Sequence, residues 1–565
     1  MKVGIDFGTS TSEIAYVGTD GQLVLVPNHI GEYITPSVVY IQEDFTPIVG
    51  KEAKEKALIE PENAMLEVKR LFGQKQALTA RGRIYTPVEA ATMIIKYLVE
   101  CAATVCGEEI DSAVITVPAY FTDAQRKDVL NAGIQAGLDV SRIINEPTAA
   151  SLDYGVRHLR DCKHVLVYDL GGGTLDVTVL ELYEGVVDVK SSCGNNALGG
   201  KDFDKALMDY IVKTMRRKYN VEISDDLRAM MRVKIASEQC KIGLSSKESH
   251  KIELPFLGGT ADTPAGFDEE ITREYFEKLI YDQVWRTEKQ IKTALGDAAL
   301  TPQDIDMVLL VGGSTRIPLV MEFLNHVFGY SPAAAVDPDL AVVRGAALQA
   351  GVLSGNLGED SIVLTDICSH SLSTMTLKDV SFGVREKNCD ILIPRNTTLP
   401  AETSKIFQTA DDYQTGVNVT AYQGESNVPE DNELIGAFFL DGVPKARAGK
   451  EKIRIHFSYD LNGILEVSAE IVSTGKSASV TVDTSKTGKQ LNLENWASAP
   501  NIRGFKHIIT KAERLIKLHG EISSSVEIAA DNLKKALLLE WSKDICAIYK
   551  KELETAIEGL ENGLL

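Results

Sequence analysis

The chain has no CxxC pair, no apolar run near the roughly 20 residues that cross a bilayer, and no excess of positive charge. Each absence excludes something. Its eight cysteines are scattered, the nearest two being Cys101 and Cys106. A disulfide scaffold is therefore excluded, and reduced buried thiols in a cytoplasmic protein are expected. Nine histidines lie without ligand spacing, so no zinc-type site is expected. Lys and Arg number 59 against 80 Asp and Glu, a net charge of −21. Such a surface repels phosphate backbones and anionic lipid, so neither nucleic acid nor membrane is expected as a partner. The opening MKVGIDFGTS runs directly into a strand-like pattern without the apolar core or cleavage site of a secretory signal. Also missing are the GxxxxGKS/T loop and the dinucleotide GxGxxG fingerprint. Any phosphate cradle must be built another way.

What is present is an ordinary globular composition, 44% hydrophobic and 25% charged, over 565 residues. That length implies two to four domains. Residues 1–357 alternate strand and helix patterns, which implies α/β layers. Thr86-Pro87-Val88-Glu89 is a capping box that opens an amphipathic helix to about Cys106, and Thr122 with Gln125 opens another. Within this region Asp6-Phe7-Gly8-Thr9-Ser10-Thr11 is echoed by Asp169-Leu170-Gly171-Gly172-Gly173-Thr174. Each is a β-type run, an Asp, a Gly/Thr-rich turn and a second β-type run, the signature of a duplicated hairpin with two lobes facing one ligand. A third turn, Gly312-Gly313-Ser314-Thr315-Arg316, follows the apolar strand Met307 to Leu310. Glycines that admit backbone N–H groups to phosphate oxygens, beside carboxylates and hydroxyls for Mg²⁺, suit a nucleoside triphosphate.

The pattern changes near residue 357. Residues 358–366 contain the apolar patch Ile362-Val363-Leu364 and read as a linker, and 367–485 read as an all-β sandwich of short alternating strands. Asn462-Gly463 marks one hairpin within it. Thr484 to Pro500 reads as a polar connector, and the rest of 486–565 as helical, with Ile508, Ile509, Ala512, Leu515 and Ile516 at helical spacing.

These strings resemble the seventy-kilodalton heat-shock chaperones, the DnaK family. The matches run through GIDFGTSTS, EVKRLFG, AVITVPAYFTDAQRKD, RIINEPTAASLDYG, YDLGGGTLDVTVLE, LGGKDFD, LLVGGSTRIP, NTTLP, FQTADD and LNGILEVSA. The linker string IVLTDICS is similar to that of the short HscC-like branch. The resemblance implies a multidomain chain: an α/β actin-like (ribonuclease H-like, duplicated) ATPase domain, a β-sandwich that binds peptide, and a short helical lid. It implies an ATP-hydrolysing chaperone acting on unfolded polypeptides, with ATP, Mg²⁺ and K⁺ as cofactors, a J-domain co-chaperone and a nucleotide exchange factor. Position by position, it implies that Asp6 and Asp169 orient Mg²⁺ through water and that Asp176 helps hold the monovalent cation. Gly8, Thr9, Ser10 and Thr11, with Gly171, Gly172, Gly173 and Thr174, would wrap the phosphates. Lys69 would reach the γ-phosphate and Glu146 would assist. Glu238, Lys241, Ser245, Gly312, Gly313, Ser314, Arg316 and Asp339 match the adenosine side. Val417 matches the floor of the peptide pocket, Leu377 and Ala410 its arch, and Phe407 and Val419 its wall. Pro118, Arg126, Arg142 and Asp366 match positions of interdomain signalling or co-chaperone contact, with Ile362, Val363 and Leu364 as the coupling linker.

Three departures stand out. Thr365 replaces an apolar linker residue, Ser373-Thr374 replaces a Gly-Ile pair at the cleft, and the helical part is shorter than the usual lid and tail. Two other function classes fit parts of this pattern. One is a dedicated ATP-switched binding protein for a single partner. The other is a small-molecule kinase on the same superfold, which would leave the β domain and the linker without a purpose.

Overall fold

The computed structural model describes residues 1–563 except 75, 159–162, 184–185, 261–262, 333–335, 358–362, 382–383, 461–464, 483–492, 500–501, 520–522 and 539–542. Ile362 and the Asn462-Gly463 turn therefore lie outside the described residues.

The duplication seen in the motifs recurs in the sheets. In the first, Lys2–Phe7 pairs antiparallel with Thr11–Val17 and parallel with Ser112–Val117. In the second, Lys163–Leu170 pairs antiparallel with Leu175–Tyr183 and parallel with Met307–Val311. The central strands are apolar on both faces, as expected where helices cover both sides. Helix Ala341–Ser354 packs on Lys2–Phe7 and against helix Glu146–His158. Its small residues permit the approach: a Cβ at Gly345 would lie 1.7 Å from the Ala149 carbonyl oxygen, and one at Gly4 would lie 2.2 Å from the Ala347 nitrogen. This helix binds the two halves into one mixed α/β module.

Both capping boxes form. Glu89 N donates to the Thr86 hydroxyl while the Glu89 carboxylate accepts from Thr86 N, and Gln125 accepts from Thr122 N. The helices Pro87–Cys106 and Asp123–Gln135 follow.

The β region is two four-stranded sheets. One runs in the order Val384–Ile393, Leu372–Ser381, Gly416–Gln423, Glu433–Asp441; the other runs Ala401–Gln408, Lys452–Tyr459, Leu465–Ile471, Ser477–Val482. Leu372, Val419, Ala421 and Leu440 from the first meet Ile453, Ile455, Phe457 and Val467 from the second in one core. Three helices follow, Lys506–His519, Ser524–Leu538 and Lys543–Gly563. The reading of 484–500 as a polar connector is corrected in part. Residues Leu493–Ser498 form a short 3₁₀ segment, and Trp496 is buried in the helical core, its indole N–H donating to Glu513 over 3.0 Å. A single Trp in a polar stretch carries no periodic signal, so composition hid it.

Candidate nucleotide and peptide sites

The two hairpin turns face each other across a cleft. Its lining includes Asp6, Gly8, Thr9, Ser10, Thr11, Lys69, Glu146, Asp169, Gly171, Gly172, Thr174, Gly312, Gly313 and Asp339. The turns approach so closely that glycine is required. A Cβ at Gly172 would lie 2.1 Å from the Ser10 hydroxyl, and one at Gly173 would lie 2.8 Å from the Thr9 hydroxyl. Hydroxyls brace each turn from behind. Ser37 donates to the Gly8 carbonyl (2.9 Å) and Gly8 N donates to Ser12 (3.2 Å), while Ser314 donates to the Gly171 carbonyl (2.9 Å).

Lys69 sits in a 3₁₀ turn, Val68–Leu71, behind Glu67 in the left-handed region (φ 56°). It is 3% exposed, so it is no solvated surface lysine. Its ammonium donates to Glu146 Oε1 and to the Phe7 carbonyl, both at 2.5 Å. Around it the carboxylates are displaced from their ordinary range. Burial pushes Asp6 up to about 7, with Glu146 adding and Lys69 opposing. Burial also pushes Asp176 up to about 7, and holds Asp169 well above the usual range. The Thr116 hydroxyl holds Asp6 at 2.7 Å and Tyr120 N holds Asp176 at 3.0 Å. One oxygen each of Asp169 and Asp176 is buried without a hydrogen-bond partner. Unpartnered buried carboxylate oxygens suit a hard cation, which takes oxygen ligands. Among the described residues no group of three His, Cys, Asp or Glu side chains is placed to hold a metal ion directly.

Glu238, Lys241, Ser245, Ser314, Arg316 and Gly173 stand beside this lining rather than in it. Lys241 and Ser314 converge on Gly200, where a Cβ would lie 2.9 and 2.5 Å from them. Lys241 pairs with Asp204 (2.9 Å), and Ser245 donates to the Lys241 carbonyl (3.2 Å). Glu238 takes ion pairs from Lys201 (2.9 Å) and, across the cleft, from Lys54; Arg70 pairs with Asp202 at 2.5 Å. Arg316 holds Asp339 at 2.6 Å. Absent from the sequence reading are Glu13, Val311, Pro338 and Val342, which also line the cleft. The duplication signals Glu13, because Asp6 to Glu13 and Asp169 to Asp176 both span seven positions.

A second cavity, of about 650 Å³, opens in the sandwich; its lining includes Thr374, Leu377, Phe407, Thr409, Ala410 and Val417. Val419 is not part of it: at 1% exposure it belongs to the sandwich core. Thr374 donates its hydroxyl to the Thr420 carbonyl (2.7 Å), so its polar atom is consumed by the neighbouring strand. Arg385, a residue the sequence reading passed over, clamps the arch by donating to the Ala410 carbonyl (2.7 Å).

A family model described as "Hsp70 protein" matches residues 2–563. The chain belongs to the Hsp70 family. The chaperone protein DnaK of Thermotoga neapolitana is 40% identical over 570 residues, covering 100% of this chain and 92% of that protein. The chaperone protein DnaK of Thermosipho africanus is 42% identical over 569 residues with the same coverage.

In this Hsp70 chain the linker residues Val363–Leu364 add a parallel strand to Val186–Asn195, opposite Val186 and Val187. Thr365 extends the pairing through its N–H to the Val187 carbonyl (3.0 Å). Its hydroxyl accepts from Val189 N (3.1 Å) and donates to Asp188 (2.5 Å), which satisfies the polar departure. Asp366 accepts from Asn145 (2.7 Å), and Arg126 donates to the Asn145 side chain (2.6 Å) and the Ala119 carbonyl (3.0 Å). Arg142 lies near Asp366 with its Nε and one terminal nitrogen buried and unpartnered. Pro118 starts the buried turn whose carbonyl accepts from Phe121 N (3.2 Å). The sandwich docks on the same turn: Gln423 accepts from Asp123 N (2.9 Å), Tyr459 donates to the Asp123 carboxylate (3.2 Å), and His370 packs on Tyr120. No helix among the described residues is long and apolar enough to cross a membrane.

Proposed function

We propose that the cleft binds ATP with Mg²⁺ between the two hairpin turns and hydrolyses it to ADP and phosphate. The nucleotide state then controls the grip of the sandwich cavity on extended apolar segments of unfolded polypeptides. Family membership makes the protein an ATP-dependent chaperone and an ATPase. The paired hairpin sheets support an actin-like duplicated ATPase domain over 1–357, followed by linker 358–366, peptide-binding sandwich 367–485 and helical lid 486–565.

A lysine ammonium has three donors. Glu146 and the Phe7 carbonyl take two of Lys69's, leaving the third for a γ-phosphate oxygen or the water that attacks it. The carboxylate of Glu146 fixes that ammonium and offers its other oxygen to the same water. Amides and hydroxyls of Gly8 to Thr11 and Gly171 to Thr174 hold the phosphates in line, and Asp6 and Asp169 hold the metal's water shell. Bound Mg²⁺ supplies charge neutralisation at the phosphates. Asp176 offers its free oxygen to K⁺. Positioning and charge carry such a reaction, so no nucleophilic side chain is needed. Glu238, Lys241 and Ser245 form the adenosine side with the Gly312 turn. Apolar burial of one Leu-sized side chain in the sandwich cavity yields about 1.5–3 kcal/mol. Micromolar affinity needs about 8 kcal/mol, so backbone hydrogen bonds and the lid supply the difference. Arg142, facing Asp366 beside the linker, is the candidate contact of a J-domain co-chaperone, and an exchange factor would open the Lys54–Glu238 and Arg70–Asp202 bridges. The cytoplasm suits both the reduced cysteines and these partners.

The observation that carries this reading is the buried Lys69–Glu146 pair beneath two facing glycine turns. A fluorescent extended apolar peptide, bound in ADP and chased with Mg-ATP, tests it. Fast release is expected from the wild type, and Lys69→Ala should bind ATP but hydrolyse it far more slowly. Release that ignores Mg-ATP, or undiminished hydrolysis in Lys69→Ala, would refute it.

A further inference from the structure

The sandwich cavity owes its shape to two strands that part. Leu372–Ser381 pairs with Gly416–Gln423 at Leu372 and Ser373. The last ties are at Thr420, whose carbonyl accepts from the Thr374 hydroxyl (2.7 Å) and whose hydroxyl accepts from Met375 N (3.4 Å). Farther out, Thr376 and Leu377 line the cavity together with Ala410, Gln414 and Val417. The segment at Ala410 is firmly held. Gln414 accepts from Ala410 N (3.0 Å) and Asp411 N (3.3 Å) and donates to the Gly416 carbonyl (2.9 Å). Thr409 N donates to the Glu451 carbonyl (3.1 Å), and the Thr409 carbonyl accepts from Gly449 N (2.8 Å). Arg385 lies opposite Asp379, two register positions farther along the hairpin than Leu377. Its guanidinium reaches across the mouth, donating to the Ala410 carbonyl (2.7 Å) and to Asp411 (3.1 Å). The gap between the parted strands is thus closed at its inner end by backbone pairing and at its outer end by one side chain. The bond from a charged guanidinium to a carbonyl is the stronger tie. The ion pair adds little, because Arg385 is 41% and Asp411 75% exposed.

We propose that Arg385 is a latch on the client cavity, built within the sandwich and separate from the helices. Resting on the peptide reading of the cavity, this makes Arg385 a positioning residue that sets the exchange rate when the helices stand elsewhere. An extended segment that enters between the parted strands must first break the Arg385–Ala410 bond. The same bond must break again before the segment leaves. The latch therefore governs entry and exit alike and leaves the affinity almost unchanged. A wall residue that touches bound peptide acts differently, since its loss speeds departure and lowers affinity.

The test is stopped-flow anisotropy of a fluorescent extended apolar peptide with the full chain in Mg-ATP, comparing wild type, Arg385→Ala, Arg385→Lys and Asp411→Asn. Arg385→Ala should raise the association and dissociation rate constants together by about 10- to 100-fold, the scale of one hydrogen bond from a charged donor. The dissociation constant should hardly move. Asp411→Asn removes only the exposed ion pair and should change either rate by less than about fivefold. Arg385→Lys keeps the charge without the planar fork and should fall between wild type and Arg385→Ala. If dissociation alone quickens in Arg385→Ala, the side chain is a wall contact and the latch is wrong. If both rates stay at wild-type values, the bond does not close the mouth. If the wild type binds no peptide in either nucleotide, the peptide reading of the cavity itself falls.

Discussion

Lys69 and Asp123 show how single buried charges serve two different tasks. Lys69 has fixed acceptors on two sides, so truncation removes a cation and donor from the cleft while the glycine turns stay in place. Lys69→Ala should slow single-turnover ATP hydrolysis by about 10²–10³-fold, the cost of one preorganised donor, while ADP affinity changes little. Asp123 titrates at the docking surface. Burial pushes its carboxyl up to about 6, against the opposing charge of Arg126. Undocked and solvated it would return towards 3.8, so docking favours the protonated form. Its contribution opposes docking fully above pH 6 and disappears as pH falls below about 4. His370, buried and pushed down to about 4, acts in the opposite sense below pH 6.5. At pH 7.5 neither is near its midpoint, so Asp123→Asn should tighten docking by up to about 3 kcal/mol. Energy transfer between labels on the sandwich and the nucleotide module would report it, and unchanged or weaker docking would contradict the burial argument. The sequence made Lys69 legible through its motif. Glu13 is not legible from the hydroxyls and glycines of its turn; only the seven-position spacing that the two hairpins share marks it.

At the scale of elements, local signals read well and partnerships do not. The hairpins, both capping boxes and the sandwich strands follow from turn residues and alternation within a few positions. The linker is an example of the limit: Ile362-Val363-Leu364 is visible as an apolar patch, yet its partner strand lies nearly 180 residues earlier. Nothing local specifies such pairing. Val419 illustrates the same limit within one strand: it shares a face with Val417, and only the packing of the two sheets buries Val419 fully while Val417, at the core's edge, also lines the cavity. Thr365 anchors the linker strand through its hydroxyl as well as its backbone. Thr365→Val keeps the backbone pairing but strands Val189 N, while Asp188 loses one donor and keeps its ion pair with Lys190 (2.8 Å). Leaving such a donor as Val189 N unpaired costs about 1–3 kcal/mol. The variant should expose the linker to limited proteolysis in the presence of ATP at rates approaching those of the ADP form. Equal protection of both proteins would show that the hydroxyl does not anchor it.

Across the whole molecule, the lid is the decisive element because it sits away from the cavity it would cover. No described residue of the three helices lines the sandwich cavity. Instead Asn532 pairs with the Gly82–Ile84 backbone, accepting from Ile84 N (2.9 Å) and donating to the Gly82 carbonyl (2.8 Å). Lys535 donates to the Ile84 carbonyl (2.9 Å) and to Glu89 (2.8 Å), and Ile84 itself joins the lid core. Val363–Leu364, the sandwich and the three helices are all held on the N-terminal α/β module, and on the proposed function that arrangement would be the one that exchanges peptide fast. Two positions hold the lid through four hydrogen bonds, two of them donated by the Lys535 ammonium. Asn532→Ala with Lys535→Ala removes those bonds without touching cleft or cavity, at about 1 kcal/mol for each neutral bond and up to about 3 for each charged one. Reciprocity of coupled equilibria then fixes the sign: what weakens docking must also weaken the ability of ATP to expel peptide. The double variant should release peptide more slowly after Mg-ATP and retain wild-type affinity in ADP, measured by anisotropy. A loss of affinity in ADP instead would place these residues in peptide capture, and unchanged release would mean that the docked lid does not limit exchange.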